Sequence, residues 1–367
     1  MRIRLLTALL FLLLAPSAHA SVSWVVRGHG FGHGVGVSQY GAYGYALHGK
    51  SYRWILAHYY TGTGIGQVQG VRVVRVLLDI SPEDVGFSDA TSACGIALDP
   101  KRNYEAHRNG SSVRLRSSAG RPLAACGRRL RAAGNGTIEI AGIGTYRGAL
   151  EVVPTDSDAG SLNTVNALAL EQYVKGVVAN ESPPSWPQAE LRTQAVESRS
   201  FALTGDVGGN GFDLYNDTRS QVYRGLSSET PSTNAAVSAT RGEVVTYQGK
   251  VAETYFSACS GGHTESVQNV FFGPPVPYLV GVPDPYDYYC PLHDWTLRFS
   301  GPEISERLAP YLNGRLKKIV VTKRGTSPRI VWARLYGTGG VSTIRGDELA
   351  SALGAYDRWM TFRKVVE

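Results

Sequence analysis

Five glycines alternate with larger residues over Gly28-His29-Gly30-Phe31-Gly32-His33-Gly34-Val35-Gly36. A chain tolerates that pattern only where its backbone must come close to something, because each glycine loses more freedom on folding and packs no side chain. The run contains neither the GxGxxG nor the GxxxxGK[ST] spacing, so the phosphate-cradling loops of nucleotide-binding proteins are not indicated. What remains is a backbone face without side chains, with His29 and His33 on the other. It either admits a sugar ring or peptide to main-chain donors or lies packed under another element.

A second stretch, Val177-Val178-Ala179-Asn180-Glu181-Ser182-Pro183-Pro184-Ser185-Trp186-Pro187, places one carboxylate at the end of an apolar run and before a proline-stiffened turn. Cleaving a glycosidic bond needs an acid that protonates the departing oxygen. Burial beside apolar groups raises a carboxyl pKa towards the working range. Glu181 has that setting, although an ordinary surface glutamate before a helix would look the same. No second carboxylate stands at a telling spacing. Asp217 is the best remote candidate, so a mechanism needing a single acid is favoured.

The first twenty residues read as a secretory signal peptide: Arg2 and Arg4, an apolar run Leu5 to Leu14, and Ala18-His19-Ala20 as the cleavage site. That run is too short for a membrane span and no other stretch approaches one. The expected product is exported, to the outside, the cell wall or the periplasm. Formal charge is +7, spread out and without interleaved aromatics, which argues against a nucleic-acid partner. Four cysteines, Cys94, Cys126, Cys259 and Cys290, favour disulfides in an exported chain. Of three pairings the sequential one, Cys94–Cys126 and Cys259–Cys290, closes two local loops and is expected here. The competing reading gives Cys259 and His263 to zinc; their spacing is not that of a CxxC pair.

Charged residues are 18% of the chain and glycines number 43, which with the abundant Val and Tyr suits a strand-rich fold with tight turns. Ser51 caps a short helix whose Tyr52, Ile55, Leu56 and Tyr59 share one face. Strands are expected at 71–80, 146–153, 162–168, 243–247 and 252–256. Residues 171–178 read as helix or strand. A helix follows, with Ser185 and Gln188 as a capping box, Pro187 in its first turn and Gly205 as its stop. Arg199 lies beside its small-residue face of Leu191, Ala195, Ser198 and Ala202, where a salt bridge is favoured over a substrate contact. The fold class is α+β: a strand-rich core over 21–70 and 146–367, with residues 71–145 as a small β-rich insertion.

Other chemistries lack parts. Ser257 and Ser260 have His263 nearby but no GxSxG elbow, Cys259 would have to stay reduced outside the cell, and HExxH is absent.

Four motifs together resemble the SpoIID/LytB family of bacterial cell-wall proteins. They are the glycine run continued through Ser38-Gln39-Tyr40-Gly41-Ala42 and His58-Tyr59-Tyr60-Thr61-Gly62-Thr63; the strip Glu171-Gln172-Tyr173-Val174-Lys175-Gly176-Val177-Val178 leading to Glu181; the helix with Gln194-Ala195-Val196 and Arg199-Ser200-Phe201-Ala202; and Asp217 to Gly225 followed by Tyr255 to Thr264. The likeness implies a lytic transglycosylase that cleaves the MurNAc–GlcNAc bond of peptidoglycan glycan strands, with Glu181 as catalytic acid and no cofactor. Arg199, Gln221, Tyr223, Ser260, His33, Ser38, Gln39 and Asp217 would bind substrate, and a wall amidase is a second partner. It leaves open a non-catalytic wall-binding protein that enhances another hydrolase. The motif with Ser38-Gln39 opens this chain whereas the sporulation enzymes carry it near the C-terminus. A circular permutation is therefore expected, with Arg27 close to Phe362. Ser182 stands where the family commonly has methionine.

Overall fold

The computed structural model describes residues 22–366 apart from 83, 157–159, 206 and 208. The expected signal peptide lies outside the described residues. Helices are α1 (Gln39–Leu47), α2 (Tyr52–Tyr59), α3 (Leu170–Glu181), α4 (Gln188–Thr204), α5 (Pro231–Ala239), α6 (Gly301–Arg307) and α7 (Gly346–Leu353). The architecture is mixed α+β. Its main body is a ten-stranded sheet, accompanied among the described residues by three sheets of three strands and one of two.

The large sheet runs in the order Leu214–Tyr215, Val73–Ser81, Leu162–Ala169, Gly144–Pro154, Leu130–Ile140, Val85–Ala93, Tyr104–Asn109, Ser112–Ser117 and Pro122–Ala125, and its tenth strand, Ile96–Ala97, pairs with Val85–Ala93 off this path. Strand Val73–Ser81 pairs antiparallel with Leu162–Ala169, and Leu130–Ile140 with Gly144–Pro154. The strands of 71–145 therefore hydrogen-bond directly into the rest of the sheet and share its apolar core. The disulfide Cys94–Cys126 ties the strand hairpins at its far side.

Helices α3, α4 and α5 cover this sheet. Val174, Val177 and Val178 of α3 and Leu191 and Ala195 of α4 pack with Val76, Leu150, Val152 and Leu168. Each such buried Val or Leu contributes about 1.5–3 kcal/mol of transfer free energy. The opposite side of α4 meets a second core, where Val196 joins Ala42 of α1 and Ile55, Leu56 and Tyr59 of α2. Helix α4 is thus enclosed on several sides, and its polar residues Glu190, Gln194, Glu197 and Arg199 are buried with it.

Local signals account for most helix ends. Ser51 accepts from Trp54 N–H at 3.3 Å, and Ile55, Leu56 and Tyr59 are buried as their spacing predicts. The 171–178 segment is helical. The capping box of Ser185 with Gln188 does not form: α4 begins at Gln188, its preceding Pro187 is extended and no side chain caps it. A proline disfavours helical geometry in the residue before it, so Trp186 cannot open the helix. Gly205 ends α4 as expected.

Strand Val22–His29 lies between Asp294–Ser300 and Met360–Val366, both antiparallel. Arg27 pairs with Thr361 and Val26 with Phe362, so Arg27 and Phe362 are close. This sheet and α6 and α7 enclose a third core of Trp24, Val26, Ile304, Leu335, Leu349 and Met360. Among the described residues no helix is long and apolar enough to cross a membrane.

Candidate active site around Glu181

Glu181 is the last residue of α3. Ser182 leaves the helix in extended geometry, and Pro183 blocks any further turn. The carboxyl is mostly buried. Its Oε1 accepts from Val222 N–H at 2.7 Å, and Gln39 Nε2 lies 3.4 Å from Oε2 and donates to the Glu181 carbonyl at 3.2 Å. Burial raises its pKa above the ordinary carboxylate value, and the Val222 and Gln39 hydrogen bonds only partly offset that. The acid therefore holds its proton more tightly than a surface glutamate.

A groove of 370 Å³ opens at this carboxyl, walled by Gln39, Tyr40, Asn180, Ser182, Pro183 and Trp186. Glu181 is the one charge among its lining residues. A larger cavity, 650 Å³, lies elsewhere, at the start of α3, and is basic with Arg72, Arg147, Lys175 and Arg241. None of the sequence-predicted site residues lines it, and it holds no acid free to donate a proton: Glu171, its one carboxylate, is ion-paired to Arg199. The smaller groove is the better candidate on chemistry.

The spacing argument found no second carboxylate beside Glu181, yet the fold brings buried glutamates of α4 near it. Ser182 Oγ donates to Glu190 Oε1 at 2.8 Å, and Gln39 Nε2 donates to Gln194 Oε1 at 3.0 Å. Glu190 is buried, which pushes its pKa up to about 8 despite the Ser182 hydroxyl. Glu197 is also buried and also raised, with Glu190 and Glu181 adding to the effect. Both sit on α4 outside the groove lining, and their burial favours the neutral form of each. Their signal was present in the sequence as glutamates on the inward faces of α4, but only the enclosure of that helix on two sides makes them buried.

Of the other expected substrate contacts, Gln39 alone touches Glu181, which joins the glycine-led motif to α3. Ser38 caps α1, accepting from Gly41 N–H at 3.1 Å, and its hydroxyl donates to Asp287 at 2.7 Å. It is buried and positions Gln39 without facing the groove.

Arg199 makes the salt bridge that its place on the helix favoured, with Glu171. It is fully buried and bidentate on Glu171, at 2.9 and 3.0 Å, and also donates to the carbonyls of Ala195, Glu243 and Val237. A guanidinium with every direction occupied has no donor left for a ligand. Gln221 and Tyr223 are buried too. Tyr173 donates to Gln221 at 3.2 Å and Tyr223 to Asn166 at 2.7 Å, so they support α3 from below, while the neighbouring Val222 N–H does the work at Glu181.

Ser260 is buried with its hydroxyl on Asp284 at 2.7 Å. Asp217 is paired with Arg219 on the surface, its pKa lowered by that guanidinium, and lies outside the groove lining. His33 accepts from Val35 N–H at 3.0 Å and packs edge-on to Phe271 and Tyr255. Burial, with Arg329 and Arg358 nearby, lowers its pKa to about 4, so it stays neutral.

The glycine run does not floor the groove. A Cβ on Gly36 would stand 2.0 Å from the Tyr255 carbonyl oxygen and one on Gly34 would stand 2.4 Å from the Arg329 guanidinium. Both glycines have φ above +70°. The run is packed under other elements, and its close partner is the buried Arg329–Asp357 ion pair at 2.7 Å. The disulfide Cys259–Cys290 is present beside it, so the Cys259 sulfur is not available to the zinc reading with His263.

Residues 158–247, which include Glu181, match the stage II sporulation protein family, SpoIID. An uncharacterized protein of Brachyspira hyodysenteriae is 41% identical over 169 residues, 45% of this chain and 45% of that protein. Stage II sporulation protein D of Bacillus amyloliquefaciens is 30% identical over 211 residues, 53% of this chain and 60% of that protein. An amidase enhancer of Bacillus subtilis is 34% identical over 134 residues, 36% of this chain and 18% of that protein. The chain thus spans about half the length of the first of these relatives and less than two thirds of the second. Residues 158–247, which carry Glu181 at the end of α3, are thus similar to the SpoIID domain family.

Proposed function

We propose that this protein is a peptidoglycan lytic transglycosylase acting at Glu181. The observation that carries the proposal is a single, mostly buried carboxyl of raised pKa opening on a groove otherwise neutral and partly aromatic. Val222 N–H holds Oε1 at 2.7 Å, while Oε2 has only the longer 3.4 Å approach of Gln39 Nε2 and is the better placed oxygen to carry the proton. In the first step Glu181 protonates the glycosidic oxygen as the C1–O bond breaks and positive charge builds on the MurNAc ring. In the second the carboxylate takes the proton of the same sugar's C6 hydroxyl as that oxygen bonds to C1. A 1,6-anhydro end forms, no water is consumed, and Glu181 regains its proton. Because the substrate supplies the nucleophile, no second ionised carboxylate is required. Glu190 and Glu197 suit this, since burial favours their neutral forms, which oppose the negative charge that Glu181 develops less than carboxylates would.

Export to the wall or periplasm is part of the same proposal, supported by the signal-like segment and two disulfides. The pairing of Val22–His29 with Met360–Val366 supports a permuted chain order. A second reading, wall binding without catalysis and in service of an amidase, is favoured by the likeness to a protein named amidase enhancer. Glu181→Gln separates the two. Purified wild type and variant are incubated with peptide-free and peptide-bearing glycan strands, with folding checked by thermal melting. Cleavage by wild type that drops at least about a thousandfold in the variant supports catalysis; binding without any cleavage by either supports the second reading.

A further inference from the structure

Aromatic rings from three separate elements meet beside the Glu181 groove. Trp186 stacks with Tyr43 at 4.8 Å and 29°, and meets Tyr40 edge-on at 5.0 Å. Tyr43 in turn meets Tyr289 edge-on at 5.5 Å. Tyr40 and Tyr43 are one turn apart on α1, Trp186 sits in the turn between α3 and α4, and Tyr289 belongs to the short helix Asp287–Tyr289. Each support is fixed. Ser38 caps α1 and holds Asp287, and Trp186 N–H donates to the Pro183 carbonyl at 3.0 Å.

Packing alone does not explain the wall. Tyr289 is 38% exposed, and Trp186, Tyr40 and Tyr43 are only half-buried. The hydroxyls of Tyr40 and Tyr43 bond to no described residue. Two of these rings, Tyr40 and Trp186, also line the groove that Glu181 enters. Apolar ring faces edged by hydroxyls suit a pyranose, which has an apolar C–H face and a polar rim. An acidic peptide would call for cations, and the groove lining has none.

Resting on the reading that this groove takes glycan, we propose that Trp186, Tyr43 and Tyr289 form a subsite seating a neutral sugar ring of the strand next to the bond at Glu181. Flat aromatic anchors of this kind dominate recognition where they are preorganised. The wall would fix the strand's register by stacking, leaving Glu181 free for the chemistry.

The test uses the full exported chain and three variants, Trp186→Ala, Trp186→Phe and Tyr289→Ala, with binding and cleavage measured on peptide-free glycan strands. Free stem peptide serves as a second ligand. Trp186→Ala is expected to weaken glycan binding about tenfold or more and to raise KM more than it lowers kcat. Trp186→Phe should stay within about threefold, and peptide binding should not move. Tyr289→Ala, on the surface, should weaken glycan binding by a few fold even if Trp186→Ala proves unstable. Wild-type glycan binding by folded Trp186→Ala and Tyr289→Ala, or a loss confined to the peptide, overturns the subsite while leaving Glu181 catalysis intact. Wild type that neither binds nor cuts glycan overturns the functional reading itself.

Discussion

Replacing Arg199 distinguishes a scaffold residue from a substrate ligand. In the structure its guanidinium is fully enclosed, grips both oxygens of Glu171 and reaches the carbonyls of Ala195, Glu243 and Val237. Arg199→Ala leaves those three carbonyls short of a donor and Glu171 without its counter-ion. Removing one member of a buried pair costs about 3–5 kcal/mol. The 20% exposure of the Glu171 side chain pulls towards the low end, and the stranded carbonyls pull the other way. At about 2.1 cal/mol/K per residue, unfolding entropy for a chain of this length is about 0.7 kcal/mol/K, so the midpoint should fall by about 4–7 °C. Arg199→Lys, which keeps the charge but loses the fork, should lie between. The assay is thermal melting by circular dichroism beside glycan binding measured well below the midpoint. A melting point within about 1 °C of wild type, together with lost glycan binding, would refute the structural role and return Arg199 to the groove.

Other outcomes follow from the same geometry. Glu190 is a buried acid whose folded pKa, about 8, exceeds the ordinary 4.5. The native state therefore binds the extra proton, and stability should fall as pH rises from about 4.5 through 8. Glu190→Gln, which keeps an acceptor for Ser182, should flatten that fall in urea titrations at pH 5 and pH 8. An unchanged slope would mean that Glu190 is ionised in the fold. Gly36→Ala should cost at least about 2 kcal/mol by denaturant titration, from positive φ and the clash with the Tyr255 carbonyl, and a neutral result would contradict the packing described. Cys259→Ser with Cys290→Ser opens a loop of sequence separation 31 and should cost about 2–4 kcal/mol. Thiol titration of the unfolded wild type without reductant should find no free cysteine.

Much of this was readable from residue order. Period and caps located α2, and the strand composition located the sheet. The proline-bounded end of an apolar run identified Glu181 as a desolvated acid. What escaped was whatever depends on two segments meeting. Arg199 on a small-residue face could be read as needing a partner, but Glu171 is reached only when α3 lies against α4. Glycine alternation correctly announced a close approach without saying to what; Arg329 and Tyr255 are hundreds of residues away in sequence. Ser260, weighed as a nucleophile, and Ser38, expected at the substrate, are held by Asp284 and Asp287 in the fold. The aromatic wall was invisible because Tyr43, Trp186 and Tyr289 share no local pattern.

The central claim, that Glu181 closes a ring within the substrate and does not activate water, is tested most directly by isotope. Peptide-free glycan strands are digested in water enriched in oxygen-18, and the new ends are weighed by mass spectrometry. The account expects anhydro ends with no label, absent from the Glu181→Gln digest. New reducing ends carrying one heavy oxygen would contradict it and make the protein a hydrolase.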